Sequence, residues 1–320
     1  MDQKKRYDVA ALGELNVDII LNQIDGFPEM GKEKFAGSMT VTLGSSTAIF
    51  AANIACLGAR TAFAGMVGKD SFGDLVCRSL AERGVDTSFI IRSQEYSTGA
   101  TVVMSYDEDR ANLTFQGAMD HMGFDNIDPA LFKSTRHIHI SSIFMQSALR
   151  HSLSKVFAAA HANGVTISMD TQWDPKEKWD FDYRKILPEV DVFMPNETEL
   201  RAIAGTADFD EAVYRIQPYL RQAAVIKCGS RGSLLIQKDG TVMRMEPFLN
   251  RNVVDTIGAG DSFNAGFIYG YVNGMELTEC QRLGNLAGAV STTAAGGTGA
   301  FTGLDSVRRT AEEKFGEKLF

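Results

Sequence analysis

From about residue 136 onwards, short apolar runs alternate with longer segments of helical periodicity. The apolar runs are residues 137–140, 165–170, 192–194 and 224–228, and the segments between them are residues 148–163, 182–188 and 197–220. Strands that alternate with helices of this length form right-handed βαβ units, which place the strands in a mostly parallel sheet. We therefore predict an α/β fold, and 320 residues of 44% hydrophobic composition are enough for one large unit.

Two earlier stretches follow the period of a β-strand rather than that of a helix. Apolar residues alternate around turn residues between positions 18 and 43, where we expect two or three antiparallel strands. A second pair of strands is expected at residues 101–106 and 113–115, joined by a charged turn at residues 107–110. Neither stretch belongs in a parallel sheet. We predict one domain, residues 1–320, with a small β-rich lid formed by about residues 15–43 and 97–117.

A glycine-rich turn between Asp255 and Asp261 opens directly into a helix with regularly spaced apolar residues. Such a turn leaves several backbone N–H groups without intrahelical partners, and with the positive end of the helix dipole they form an anion-binding nest. Gly258 and Gly260 let the backbone approach the anion closely because they carry no Cβ. Asp261 either caps the helix, or it handles a proton while the nest stabilises charge on a transferring group.

This run, Asp-Thr-x-Gly-Ala-Gly-Asp before an apolar helix, resembles the C-terminal signature of the ribokinase-like (PfkB) carbohydrate kinases. Other parts of that family's pattern occur in order along almost the whole chain. The resemblance implies a ribokinase-like three-layer sandwich and ATP-dependent phosphorylation of a primary hydroxyl, with ATP and Mg²⁺ as cofactors. Asp261 would be the general base, and the N–H groups of residues 257–260, including Gly258, Ala259 and Gly260, would form the anion hole. An ordinary carboxylate is too weak to deprotonate an alcohol in advance, so proton transfer should accompany or follow formation of the phosphorus–oxygen bond.

Asn16 and Asp18 follow the first apolar run, residues 9–13. In an open α/β sheet, ligands bind beyond the carboxyl ends of the strands, and residues two apart in extended chain face the same side. These side chains either end the strand in an Asx turn or recognise adjacent hydroxyl groups. They resemble the sugar-binding Asn-x-Asp of the family, which implies the second role.

Gly44 and Ser45 begin a segment that resembles the family's N-terminal signature, in which paired glycines and a downstream asparagine contact the sugar. This chain departs from the signature, because Ser45 replaces the second glycine and Ile49 stands at the asparagine position. Replacing an amide by an aliphatic side chain removes a polar contact. We therefore expect a substrate that is less polar at this point than ribose. Arg110, in the expected lid, would either meet an anionic group of the substrate or face solvent.

Asn196 and Glu199 have the spacing of a helix capping box. They also resemble the Asn-x-x-Glu element of the family, in which Glu positions magnesium through water and Asn lies near the phosphates. Both roles can hold together, because a helix N-terminus beside phosphates needs a cap in any case. Asp170, at the end of its strand, is a further carboxylate expected near this site.

Lys227, Gly229 and Gly232 resemble the family's strand–turn element beside the nucleotide, where glycines allow close backbone approach and the lysine supplies a charge. The same residues also predict a plain hairpin turn between residues 224–228 and 234–236. Asn285 and Ser291 lie on a later helix of small residues that, by resemblance, flanks the adenine.

Asp255 and the glycine-rich loop at residues 295–300 leave two possibilities open. By resemblance they could hold a monovalent cation such as K⁺ through oxygen atoms. The small residues could instead serve only the packing of neighbouring helices.

The net charge of −8 argues against a nucleic-acid or anionic-membrane partner. With no run of about 18 apolar residues, we expect a cytoplasmic protein. Exposed strand edges in the lid predict a homodimer through the two lids. The substrate stays open within sugars and sugar-like compounds, of the ribokinase, fructokinase or 2-keto-3-deoxygluconate kinase type. The alternatives are a nucleoside kinase and a catalytically silent sugar- or nucleotide-sensing homologue.

Overall fold

The computed structural model describes residues 5–106 and 109–320. Its strands are β1 Tyr7–Leu12, β2 Asn16–Ile24, β3 Ala36–Leu43, β4 Thr61–Gly68, β5 Asp86–Ser93, β6 Gly99–Tyr106, β7 Asp109–Phe115, β8 Thr135–Ser141, β9 Thr166–Asp170, β10 Val192–Phe193, β11 Ala223–Lys227, β12 Ser233–Gln237 and β13 Val242–Met245. Its α-helices are α1 Ser46–Cys56, α2 Ser71–Glu82, α3 Ala130–Ser134, α4 Ser147–Ala162, α5 Tyr183–Ile186, α6 Glu197–Ala204, α7 Phe209–Ile216, α8 Ala259–Val272, α9 Leu277–Ser291 and α10 Leu304–Phe315.

A nine-stranded sheet forms the centre of the molecule, in the order β13-β12-β11-β10-β9-β8-β1-β4-β5. The strands from β11 to β5 in this order run parallel to one another, whereas β12 and β13 are antiparallel additions at one edge. The predicted α/β class with a mostly parallel sheet is therefore confirmed. Because the parallel strands share one direction, their carboxyl ends lie along a single edge of the sheet.

Helices cover both faces of this sheet, because side chains alternate between faces along each buried strand. In β1, Ala10 and Leu12 pack with α4 in one core cluster, whereas Val9 and Ala11 pack with α1 and α8 in another. Both faces are apolar, as expected for parallel strands covered by helices. The result is the three-layer arrangement that the sequence predicts.

A second sheet of four strands, in the order β3-β2-β6-β7, is formed by the two stretches expected to make the lid. Its β2–β3 and β6–β7 pairs are antiparallel, and a parallel β2–β6 pairing joins them. Residues 18–43 therefore contribute two strands. Asp107 and Glu108 of the expected charged turn lie outside the described residues. Asp109 and Arg110 are not in a turn but pair with Tyr106 and Ser105 as the start of β7.

Several elements differ from the sequence-based prediction. The helix expected over residues 197–220 is two helices, because Gly205 adopts a left-handed conformation (φ 67°) that ends α6. Strands β5 and β13 and helix α10 were not anticipated, since their apolar residues are few or half-buried. Within the described residues, no helix is both long and apolar enough to cross a bilayer.

Candidate active site

The carboxyl edge of the large sheet brings together polar residues that are far apart in sequence. Asp170 ends β9, Asn196 follows β10, and Lys227 ends β11. The segment after β1 carries Glu14 and leads into Asn16 at the start of β2. Four of these residues line one cleft between the large sheet and the small sheet: Glu14, Asn16, Asn196 and Lys227. Asp170 is fully buried beneath this cleft.

Two cavities meet in this cleft, and we call them the front and the rear cavity. The front cavity, of about 540 Å³, is lined by Asn16, Asp18, Arg110 and Asp261 among others. The rear cavity, of about 390 Å³, is more apolar and is lined by Phe248, Leu249, Asn285 and Gly288 among others. Both cavities share a wall made by Lys227, Gly229, Thr256 and Gly260.

The glycine-rich turn provides fewer open N–H groups than the sequence suggested. The N–H of Ile257 donates to Oδ1 of Asp255 at 2.9 Å, and the N–H of Ala259 makes a long bond of 3.3 Å to the carbonyl of Thr256. Within the described part of the chain, the N–H groups of Gly258 and Gly260 have no protein acceptor. The expected anion hole of four amides, with Ala259 among them, is thus reduced to these two glycines because the turn itself pairs the others.

Neighbouring elements hold this turn in place. Gly258 has φ 73°, which glycine adopts without strain, and a Cβ there would overlap Gly297. Asn53 of α1 donates to the carbonyl of Gly297 and to the hydroxyl of Ser262, both at 2.9 Å. Asp255 accepts the N–H of Gly296 at 2.8 Å. The backbone N–H groups are therefore fixed before any ligand arrives.

Asp261 is almost completely buried, with 6% exposure, and lines the front cavity. Gln172 donates from Nε2 to Oδ1 of Asp261 at 3.1 Å and to Asp170 at 3.0 Å, so it bridges the two carboxylates. Burial, followed by the charge of Asp170, raises the pKa of Asp261 well above its usual range. The group is therefore a stronger base when ionised than the ordinary carboxylate assumed from sequence.

Lys227 is held beside the turn by a buried network. Its ammonium pairs with Asp170, which also accepts from Nδ2 of Asn264 at 2.6 Å. Asp170, Asp261 and Glu199 keep the pKa of Lys227 above its usual value although burial opposes this. A permanent positive charge thus lies next to Gly260, on the wall that the two cavities share.

Asn196 and Glu199 form the reciprocal capping box predicted for them. The N–H of Glu199 donates to Oδ1 of Asn196, and the N–H of Asn196 donates to Oε2 of Glu199, both at 2.9 Å. Burial, then the charge of Asp170, raises the pKa of Glu199 to about 7. Both residues line the front cavity.

The chemistry of this corner fits Mg²⁺ held mainly by a ligand's phosphates. Among the described residues, no three Asp, Glu, His or Cys side chains converge as a metal site. Glu199 already accepts hydrogen bonds from Asn196 on both oxygens, which leaves it able to receive a further bond from a water but not to act as a bidentate ligand.

Asn16 and Asp18 point into the front cavity, as their spacing predicts. Nδ2 of Asn16 donates to Oγ1 of Thr101 at 2.8 Å, whereas Oδ1 is buried without a partner within the described structure. Burial raises the pKa of Asp18 to about 6. Gly44 leaves room for both side chains, because a Cβ there would displace the side-chain oxygens of Asn16 and Asp18. An unpaired buried acceptor in a cavity calls for a ligand donor.

Ser45 and Ile49, the two departures from the family signature, have structural partners. The hydroxyl of Ser45 donates to the carbonyl of Glu14 at 2.6 Å and accepts the N–H of Ala48 at 3.1 Å, so it caps α1. Ser45 adopts φ 72°, a region that favours glycine. Ile49 is buried against Gly258 and Gly297, beneath the glycine-rich turn. The floor of the front cavity is therefore apolar at this position.

The other predicted site residues lie in different parts of the structure. Gly229, Gly232 and Asn285 line the rear cavity, whereas the exposed Arg110 lines the front one. Ser291 lines neither cavity and is only 1% exposed. The predicted nucleotide contact at Ser291 is therefore not supported by its position. Asp255 binds two backbone N–H groups, and its proposed role with a cation stays a prediction.

Sequence reasoning missed two residues that line the cleft, Glu14 and Gln172, and the buried Asn264 that contacts Lys227 and Asp170. Glu14 stands two positions before Asn16, and Asn264 stands one helical turn after Asp261, so spacing could have found both. Gln172 gives no such signal, because its role depends on a left-handed backbone (φ 58°) after β9.

The comparisons with known proteins identify the relatives of this chain. The model of the pfkB family carbohydrate kinases matches residues 6–302. A sugar kinase of Archaeoglobus fulgidus, described as uncharacterized, is 33% identical over 73% of this chain and 91% of its own length. A 5-dehydro-2-deoxygluconokinase of Clostridium perfringens is 27% identical over 90% of this chain and 88% of its own.

Solved structures show the same fold. The adenosine kinase of Sinorhizobium meliloti superposes with a TM-score of 0.84, at 24% identity, over 96% of this chain and 99% of its own. This likeness confirms the predicted ribokinase-like architecture, a large sheet flanked by helices with a smaller second sheet.

Proposed function

The chain belongs to the PfkB family of carbohydrate kinases, whose members use ATP with Mg²⁺, and from this membership we propose the reaction and the residue roles that follow. The protein transfers the γ-phosphoryl group of ATP to a primary hydroxyl of a sugar or sugar-like acceptor. ATP occupies the rear cavity and the acceptor occupies the front cavity. The observation that carries the proposal is the shared wall, since a nucleotide in the rear cavity would bring its terminal phosphate past Lys227 and Gly260 towards Asp261.

Asp261 is the proposed general base. Its carboxylate accepts the proton of the acceptor hydroxyl as that oxygen attacks the γ-phosphorus, and its raised pKa favours this transfer. Gln172 holds the carboxylate towards the front cavity. The N–H groups of Gly258 and Gly260 stabilise the negative charge on the phosphoryl oxygens, an effect worth about 10²–10³-fold for each donor in comparable sites.

Lys227 acts on the same charge from the side of the nucleotide, and Asp170 and Asn264 position it. Mg²⁺, when bound, neutralises part of the charge of the β- and γ-phosphates. Asn196 and Glu199 would lie beside it, and Glu199 would reach the ion through water. Asp255 and the 295–300 loop are a proposed monovalent-cation site.

The small sheet is the proposed lid, and the second protomer of a homodimer is its proposed partner. Large apolar side chains lie exposed on it or on its connecting loop: Phe27, Met30, Phe35, Met39, Leu113 and Phe115. Burying such a surface between two copies would remove it from water. Light scattering would test this proposal, since a monomeric mass at working concentration would contradict it.

A nucleoside kinase is the second candidate. It is favoured by the apolar floor at Ile49, where a ribose-specific enzyme of the family would present an amide, and by the fold shared with an adenosine kinase. A catalytically silent sensor is disfavoured, because the base, the open N–H groups and the buried lysine are all present together.

The test is ATP consumption that depends on an added acceptor. Sugars, keto-deoxy sugar acids and nucleosides are supplied one at a time with ATP and Mg²⁺, and ADP formation is measured by a coupled assay. We expect turnover with at least one sugar-like compound. Turnover with nucleosides alone would select the second candidate, and tight binding of an acceptor without any ADP formation would indicate a sensor.

A further inference from the structure

Glu14 is a buried carboxylate that the reaction outlined above does not use. It lies in the segment between β1 and β2, two residues before Asn16 and four before Asp18, and like both of them it lines the front cavity. Its exposure is 3%. A carboxylate this deep in a cleft is costly unless protein or ligand groups bind it.

Three side-chain and backbone donors hold Glu14 in one orientation. Oε1 accepts the N–H of Thr47 at 3.3 Å, and Oε2 accepts the hydroxyl of Thr47 and Nε2 of Gln146 at 3.3 Å. Burial raises the pKa of Glu14, but the backbone N–H of Thr47 and Nε2 of Gln146 can only donate, so these two hydrogen bonds favour the ionised carboxylate. Oε1 has a single long hydrogen bond among the described residues and can accept another from a ligand.

The charge of Glu14 also reaches the two other carboxylates of the cavity. It contributes to the raised pKa of Asp18 after the larger effect of burial, and to that of Asp261 after the larger effects of burial and of the charge of Asp170. Positive charge offsets this only in part. The ammonium of Lys227 is paired with Asp170, and Arg110, whose charge lowers the pKa of Asp18 more than Glu14 raises it, lies exposed on β7. The acceptor end of the cavity is therefore electronegative.

We propose that Glu14 contacts the acceptor and determines specificity: its Oε1 accepts a hydrogen bond from a hydroxyl or ammonium group, and its charge disfavours acceptors that carry a negative charge within the front cavity. The proposal rests on the kinase function proposed above. The acceptor class is accordingly a neutral or amine-bearing polyhydroxylated compound, and not a sugar acid or a sugar phosphate. The repulsion between Glu14 and an anionic acceptor in a partly buried site would explain why the enzyme discriminates against such acceptors.

The test compares matched acceptors that differ mainly in charge: glucose with glucosamine and gluconate, and ribose with ribose-1-phosphate. For each compound, kcat/KM and binding are measured for the wild type and for Glu14→Gln, which keeps the size of the side chain. We expect the wild type to prefer the neutral or cationic member by at least about tenfold, and Glu14→Gln to reduce that ratio by about tenfold with the KM for ATP unchanged. Glu82→Gln, an exposed carboxylate at the end of α2, is the control and should leave the ratio as it is.

A second variant protects the test against a folding defect in the first. Asp18→Asn removes a different carboxylate of the same cavity and should shift the charge preference in the same direction. Preference of the wild type for an anionic acceptor, or an unchanged ratio in folded Glu14→Gln, would overturn the specificity role while leaving the kinase function intact. Absence of ADP formation with every acceptor would instead overturn both proposals.

Discussion

The proposed phosphate path and the proposed acceptor end of the cleft present different kinds of atoms to their ligands. Where a phosphate would pass, the groups are the backbone N–H of Gly258 and Gly260, fixed by the turn and reinforced by the charge of the partly buried Lys227. Where the acceptor would lie, the groups are the side chains of Glu14, Asn16 and Asp18. With the proposed roles, phosphate transfer depends on a backbone shape, whereas acceptor choice depends on side chains that a single substitution can change.

This difference predicts how variants should behave. Changes at the glycine-rich turn should reduce turnover with every acceptor. Changes in the front cavity should alter the KM or the choice of acceptor and leave the nucleotide unaffected. Each of the following substitutions tests that separation.

Asp261→Asn should give the largest effect, because it removes the base and keeps the size of the side chain. We expect kcat to fall by about 10²–10⁴-fold, with the KM values of ATP and acceptor nearly unchanged. Steady-state kinetics measure this, with Asp210→Asn, an exposed aspartate of α7, as the control. Residual turnover within about tenfold of the wild type would remove Asp261 from the role of base.

Gly258→Ala should reduce kcat by about 10²–10³-fold, because the turn must deform. A Cβ would lie 3.1 Å from Cγ2 of Ile49 and would overlap Gly297, and the positive φ adds strain. Gly274→Ala is a matched control, since Gly274 has φ 74° and no described atom within 4 Å of the added Cβ. Both variants should lose some stability, but only Gly258→Ala should lose turnover. Equal kcat in the two would contradict a catalytic role for the turn.

The pH dependence of nucleotide binding should report on Glu199. Because its pKa is raised to about 7, part of the population is protonated at neutral pH. A nearby cation favours the ionised form, so binding of Mg·ATP should release a proton and strengthen as the pH rises through 7, by less than tenfold per pH unit. Glu199→Gln should lose that component, and the ionisation of ATP itself is cancelled by comparing the two proteins at each pH. Parallel pH profiles would show that Glu199 does not face the metal.

The difference between backbone and side-chain groups also explains how much of the site could be predicted from the sequence alone. The strand–helix alternation predicts the large sheet, and the turn at Asp255–Asp261 is recognisable because its backbone shape requires glycine at fixed positions. The capping box of Asn196 and Glu199 is likewise local and was confirmed. The hydrogen bond from Gln172 to Asp261 and the ion pair between Lys227 and Asp170 join residues that are far apart in sequence. No local spacing predicts these contacts. The hydrogen bond from the Ala259 N–H to the carbonyl of Thr256 could not be predicted from the sequence either.

Thr101→Val should give the smallest effect and the sharpest test of the front cavity. Thr101 accepts the amide of Asn16 at 2.8 Å, so its loss leaves that donor unpaired and frees the Asn16 side chain to rotate away from the ligand. A lost hydrogen bond of about 1 kcal/mol corresponds to a roughly fivefold higher KM for the acceptor. The KM for ATP should not change, because Thr101 lies on the small sheet and does not line the rear cavity. Thr40→Val, an exposed threonine of β3, is the control for adding a valine to this sheet. A rise in the KM for ATP alongside that for the acceptor would show that the two parts of the cleft are coupled. The separation between backbone groups for the phosphate and side chains for the acceptor would then not describe ligand binding by this enzyme.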